Sequence, residues 1–211
     1  AWELERDISQ RNSFSTPLLV QNDRQESQLI FTSEAHGFTG VDPATGKVLW
    51  ENKGLLTHRV VASPVYSQDL VLASRKGQAM ALEVDLNSHE VAAEPRYSLP
   101  PNLSPYVPTP LIQDDLLFLC LDNGSVACVR FADGELIWKE RPAGPLYGSP
   151  VCVNGILYIL TKAGKFVAIR ASAEYELLGI QDLGEGSFST PVLGASGMVL
   201  RSFSRLRLLS P

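Results

Sequence analysis

The chain is poor in the residues that most often do chemistry. It has three cysteines, three histidines and two methionines in 211 residues. Cys120, Cys128 and Cys152 match no zinc-ligand spacing, and their odd number limits the chain to one internal disulfide. Cys120 and Cys128 flank an expected hairpin turn and could face each other across it. The alternative is three small buried hydrophobes in strands. His36, His58 and His89 form neither an HExxH nor a short His-x-His pattern, so a metal site lacks support. His36 precedes a turn glycine, Gly37, and is expected as a solvated turn residue. No apolar run approaches the roughly 20 residues of a membrane span. No block of like charge interrupts a net charge of −5, which argues against nucleic acid or an acidic membrane surface as partner. The first residues, AWELERD, lack the basic and apolar regions of a signal peptide. No stretch holds helical periodicity over about ten residues. GEGSFS, from Gly184, precedes a strand and is no nucleophile elbow.

What the chain does have is repetition. With 45% hydrophobic and 19% charged residues it is globular rather than disordered. GVDPATGKVLW, Gly40 to Trp50, reads as a strand end, a tight turn and a new strand. CVRFADGELIW, Cys128 to Trp138, repeats its layout: Gly46 and Gly134 each stand four residues before a tryptophan. A second mark is Ser or Thr, then Pro, then an apolar run. Its prolines, Pro17, Pro64, Pro110, Pro150 and Pro191, are spaced by 47, 46, 40 and 41 residues. A third is a hairpin-turn position held by Gly37, Gly77, Gly124, Gly164 and Ser204.

Each repeat therefore reads as four short antiparallel strands, which is the pattern of a β-propeller blade. The expected fold is all-β, with blades at approximately 14–52, 61–99, 107–140, 147–181 and 188–211, and residues 1–7 as an outer strand like that around Trp50. Two arrangements follow. Residues 1–7 could complete the fifth blade of a closed ring, or the chain could be part of a larger ring. In the second case its end blades expose apolar flanks, and self-association is expected.

The motif GVDPATGKVLW closely resembles the blade signature of the quinoprotein-like (pyrroloquinoline quinone, PQQ) propeller repeat. There, an outer-strand Trp docks on a turn of the next blade. The resemblance assigns that docking to Asp42, Gly46, Trp50, Gly134 and Trp138, and more weakly to Trp2. Tyr97 stands at the matching place in the second blade, and the fourth has no aromatic there. The segments from Pro105 to Gly124 and from Ile137 to Ile169, with YELLG at Tyr175, resemble the C-terminal half of secreted PQQ-like repeat proteins. Resemblance to secreted proteins implies an exported, periplasmic or extracellular protein, and their usual seven or eight blades support the larger ring. The same repeat occurs in an outer-membrane assembly lipoprotein, where it scaffolds protein contacts.

True quinoprotein dehydrogenases hold PQQ and calcium with an Asp, Glu, Asn, Arg, a floor Trp and often paired cysteines. No Cys-Cys occurs here, and Trp2, Trp50 and Trp138 all take the outer-strand position. The expectation is a non-catalytic binding or scaffolding module with no resident cofactor and a protein or peptide partner. The alternatives are a quinoprotein-type oxidoreductase domain using PQQ with calcium, or the sensor domain of a larger receptor or kinase. If anything binds, it is expected where the innermost strands begin and the hairpin turns gather. Those positions hold Phe14, His58, Arg59, Arg75, Tyr106, Asp122, Tyr147, Lys162 and Phe188. Loops on a rigid scaffold carry function more often than strands do, and aromatic and Arg side chains are favoured contact anchors.

Overall fold

A computed structural model describes residues 1–8, 10 and 12–210. Among them the only helical element is a single 3-10 turn, Pro101–Leu103. The chain forms two compact units, Ala1–Tyr106 and Val107–Pro211.

The first unit holds two sheets. One is β1 (Leu18–Gln21), β2 (Ser27–Ser33), β3 (Gly37–Val41) and β4 (Val48–Asn52), paired in sequence order. The other is β5 (Val65–Ser67), β6 (Leu70–Arg75), β7 (Gln78–Asp85) and β8 (Glu90–Val91), with β9 (Tyr97–Leu99) also on β7. The second unit holds three sheets. These are β10 (Leu111–Gln113) to β13 (Leu136–Glu140) through β11 (Leu116–Cys120) and β12 (Val126–Arg130), and β14 (Val151–Val153) to β17 (Leu177–Asp182) through β15 (Ile156–Leu160) and β16 (Lys165–Arg170). The last has three strands, β18 (Val192–Gly194), β19 (Gly197–Arg201) and β20 (Leu206–Leu209). All neighbours are antiparallel.

The repeated marks explain the boundaries. Every first strand starts directly after a Ser/Thr-Pro pair, because proline lacks the N–H that a ladder needs and is tolerated at a strand start. The turn before the outer strand is built the same way twice. The N–H of Gly46 donates to the Asp42 carbonyl (2.8 Å) and that of Gly134 to the Arg130 carbonyl (2.8 Å). Both glycines are left-handed, at φ 75° and 74°, where a Cβ would be strained. A one-residue register shift follows in three sheets, after Gly40, Cys128 and Ala168. Such a bulge adds local twist.

Two expectations fail. Residues 1–7 form no strand, since no ladder bonds pair them with a neighbour. The outer strand of the second blade is split. β8 holds only the end of β7, at Val84 and Asp85, and β9 takes over at Ala79–Ala81, with Tyr97 opposite Ala81. Between them Ala92 and Arg96 still donate to β7 carbonyls, but Pro95 has no N–H to give, and the ladder is interrupted there. Pro211, the last residue of the expected fifth blade, lies outside the described residues.

Each unit has its own core. In the first, Ile30, Phe38, Trp50, Leu56, Val71 and Leu82 pack between the two sheets. In the second, Phe118, Cys120, Val126, Cys128, Leu157 and Ile169 do so. The central strands are buried on both faces, as β3, β6 and β11 show, while first and outer strands are half-exposed.

Candidate functional site

The residues that repeat in the sequence are used to hold the sheets together. Trp2 donates its indole N–H to the Pro43 carbonyl (2.8 Å). A Cβ on Gly46 would lie 2.4 Å from the Trp2 ring, so only glycine admits that contact. Trp50 acts through an intermediary: its indole donates to Gln28 Oε1 (2.9 Å), and Gln28 Nε2 donates to the Leu86 carbonyl in the next sheet (2.7 Å). Trp138 donates to the Ser172 carbonyl in the next sheet (3.0 Å) and meets Tyr175 edge-on, with ring centroids 5.2 Å apart. Asp42 shapes its turn: its carboxylate accepts from the Ala44 N–H (2.8 Å) and the Thr45 hydroxyl (2.7 Å). Those bonds, Thr45 foremost, hold its pKa below the ordinary aspartate value.

A second set of fasteners has no counterpart among the sequence expectations. The hydroxyl of a Ser/Thr-Pro pair accepts the backbone N–H of the equivalent residue in the preceding sheet. Ser63 Oγ accepts from Thr16 N, Ser149 Oγ from Thr109 N and Thr190 Oγ1 from Ser149 N, each at 2.9 Å. The signal was present in the invariable pairing of a hydroxyl residue with proline. What it lacked was any hint that the partner stands one repeat away.

The expected binding residues fall into one cluster in each unit. In the first unit His58, Arg59, Lys76 and Tyr106 line a cavity of about 320 Å³. The Arg59 guanidinium stands 5.8 Å from the Phe14 ring centre. Arg75 is committed elsewhere: it donates to Gln78 and the Lys76 carbonyl, and its backbone bridges Val60. In the second unit the Lys162 ammonium stands 3.2 Å from the Tyr147 ring centre. Tyr147 meets Phe188 edge-on at 5.3 Å, and Phe188 meets Phe203 at 5.1 Å. Asp122 is half-buried and accepts the Val107 N–H (3.2 Å), so it supports a loop. Phe203 and Arg201, which line one cavity with Phe188, escaped the sequence reading, although Phe203 directly precedes the turn mark Ser204.

His36 is a correction. It is buried rather than solvated, at 6% exposure. The Asp7 N–H donates to its Nε2 (3.0 Å), which puts the ring proton on Nδ1, facing Glu51 Oε1 at 2.9 Å. Glu51 also accepts from Arg6 (2.9 Å) and the Thr39 hydroxyl (3.1 Å). Burial works against its charge, but the bonds from His36 and Thr39 and the Arg6 charge outweigh it and lower its pKa. This network ties residues 6 and 7 to the first sheet. It also borders a cavity of about 500 Å³, with Trp2, Ser13, Phe31 and Val41.

The cysteines are free thiols. Cys120 stands opposite Val126 and Cys128 opposite Phe118, so the two do not face each other. Burial pushes both thiols up to about 12, which leaves no reactive thiolate near neutral pH. Among the described residues no three His, Cys, Asp or Glu side chains gather where a metal could be held. No helix among them is long and apolar enough to cross a membrane.

Comparison with known proteins agrees with this architecture. A family model described as outer membrane protein assembly factor BamB matches residues 91–177. BamB from Moraxella catarrhalis superposes with a TM-score of 0.65 at 15% identity, over 88% of this chain and 54% of that one. The computationally designed Ika8 protein superposes with a TM-score of 0.66 at 12% identity, over 86% of this chain and 53% of that one. A europium-containing methanol dehydrogenase reaches only 0.45, at 13% identity, over 56% and 23%. The chain thus spans about half the length of the first two, and at such identities the likeness is one of fold. No curated protein matches the sequence. Repeat, sheet order and docked tryptophans agree with these similarities: the chain has the blade fold of a β-propeller, and residues 91–177 resemble the PQQ-like repeat.

Proposed function

We propose that this chain is a non-catalytic β-propeller module of an exported protein, and that it binds or scaffolds a protein or peptide partner. One observation carries the reading. The recurring residues (tryptophans, turn glycines, Ser/Thr-Pro hydroxyls) are taken up in fastening sheets, while exposed aromatics and cations that do not recur collect where first strands begin. A rigid frame that presents aromatic and Arg side chains on loops suits protein contacts. The likeness to an outer membrane protein assembly factor supports both partner class and export.

Partner capture from a bacterial envelope fraction tests this reading. The native chain is expected to retain a partner that the combined Arg59→Ala, Tyr106→Ala, Tyr147→Ala variant loses. Undiminished capture by that variant would count against the loop cluster of either unit as the contact.

The quinoprotein reading has only the repeat in its favour. PQQ with calcium needs clustered oxygen ligands and an aromatic floor. The described residues offer no such cluster, and all three indoles are engaged in docking. Adding PQQ and calcium is expected to leave Tm unchanged. A rise in Tm would replace the scaffold reading, because a ligand specific for the folded state stabilises it by mass action.

A further inference from the structure

The binding-module reading says where a partner would sit but not what it is made of. On that reading, we propose that the aromatic row Tyr147, Phe188 and Phe203, flanked by Lys162 and Arg201, docks an extended peptide segment carrying an aromatic side chain beside a carboxylate.

The row is exposed: Tyr147 is 38%, Phe188 56% and Phe203 63% accessible. Its rings meet edge to face, at 62° and 83°, the arrangement a further ring could extend. The rings are held from below. Phe203 lies over Gly186, where a Cβ would come within 2.6 Å of it, and its N–H donates to the Gly186 carbonyl (3.0 Å). Phe188 and Phe203 line a cavity of about 330 Å³ together with Arg201 and the hydroxyls of Ser187, Ser189 and Ser202. Exposed rings fixed before binding lose little entropy when a partner arrives.

Charge chooses the partner. After Glu185 the sequence holds Arg201, Arg205 and Arg207 and no Asp or Glu, in a chain whose net charge is −5. Glu185 itself is engaged: Ser202 and Ser204 donate their hydroxyls to its carboxylate, Ser204 at 2.7 Å. Arg207 donates to the Leu183 carbonyl (2.8 Å) and to Ser202 Oγ (3.2 Å). Among the described residues no carboxylate pairs with Arg201, which lies on the surface beside the rings. Arg201 therefore offers a planar two-donor fork to an incoming carboxylate. Lys162 stands over Tyr147 as a second cation. A single-stranded nucleic acid could also stack on such rings. The acidic balance of the whole chain opposes a polyanion and favours a short acidic peptide.

Fluorescence anisotropy with the full chain and a labelled tryptophan- and aspartate-rich peptide tests this. The expected result is saturable binding that weakens with salt. Replacing aspartate by lysine, or tryptophan by alanine, is expected to weaken it at least about tenfold. Phe188→Ala with Phe203→Ala is expected to do the same. Arg201→Glu removes an exposed side chain, so the fold should survive, and its preference should turn toward the lysine peptide. Equal binding of both peptides by the native chain, no response to Arg201→Glu, or tighter binding of oligothymidine would each overturn the proposal. If no peptide binds while envelope capture still succeeds, the peptide chemistry is wrong and the module reading stands. If capture fails as well, both fall.

Discussion

The third and fourth sheets are built from the same plan and end differently. In each, the third strand carries an arginine at its end, Arg130 or Arg170, paired with turn carboxylates. In each, a register shift precedes that end. In each, the Ser or Thr two residues before the first strand (Thr109, Ser149) gives its N–H to a hydroxyl in the following sheet. The outer strands diverge at one register position. Trp138 stands opposite Cys128, whereas Gly179 stands opposite Ala168. β13 is half-buried through its middle, while every residue of β17 is exposed, Leu177, Leu178 and Ile180 included. Pairing is complete in both, so ladder hydrogen bonds alone do not cover an outer strand. One indole and a turn to receive it do. The receiving turn, around Ser172 and Tyr175, follows β16 in the next sheet.

The strongest way to break this contrast is Trp138→Ala. Loss of a large, partly buried ring that packs on Phe118 and Tyr175 is expected to cost about 3 kcal/mol in urea unfolding. A change below about 1 kcal/mol would show that the third outer strand owes its cover to something else. Next come Ser149→Ala and Thr190→Ala. Each removes a hydroxyl that accepts a backbone N–H of the preceding sheet, and each is expected to cost about 1 kcal/mol by the same measurement. Clearly unequal losses would mean that the inner fasteners, too, differ between the two sheets. The smallest effect is expected from Gly179→Trp. No atom lies within 4 Å of a Cβ there, so among the described residues the ring meets no obstacle and no partner close to its Cβ. The gain should stay under about 1 kcal/mol, the difference in strand preference alone. A gain as large as the Trp138 loss would show that the indole stabilises its own strand without docking.

The fold was legible because its marks are backbone chemistry. Proline before a strand, glycine at a left-handed turn and tryptophan after it each act within a few residues, so spacing alone reveals them. What the sequence misplaced depends on distance in space. His36 looked like a turn residue because Gly37 follows it; its burial comes from Asp7 and Glu51, which are far along the chain. Residues 1–7 looked like a strand because of Trp2, but docking one indole does not require a ladder. The cysteines looked able to pair because they flank a turn, and a register offset of two residues separates them.

The candidate site was legible by position and not by composition. Tyr147, Lys162 and Phe188 were expected at neighbouring loop positions, and they do touch. Phe203 and Arg201 joined them only through the hairpin after β19.

The sequence by itself determined how many sheets form, where the first strand of each starts and which residues close the turns, because these follow from φ, from missing N–H groups and from alternation along a few residues. Only the tertiary structure decided which hydroxyl meets which amide, which indole finds a carbonyl and which exposed rings stand together. Those are choices between groups that share a chemistry and differ only in what folding brings within about 3 Å of them.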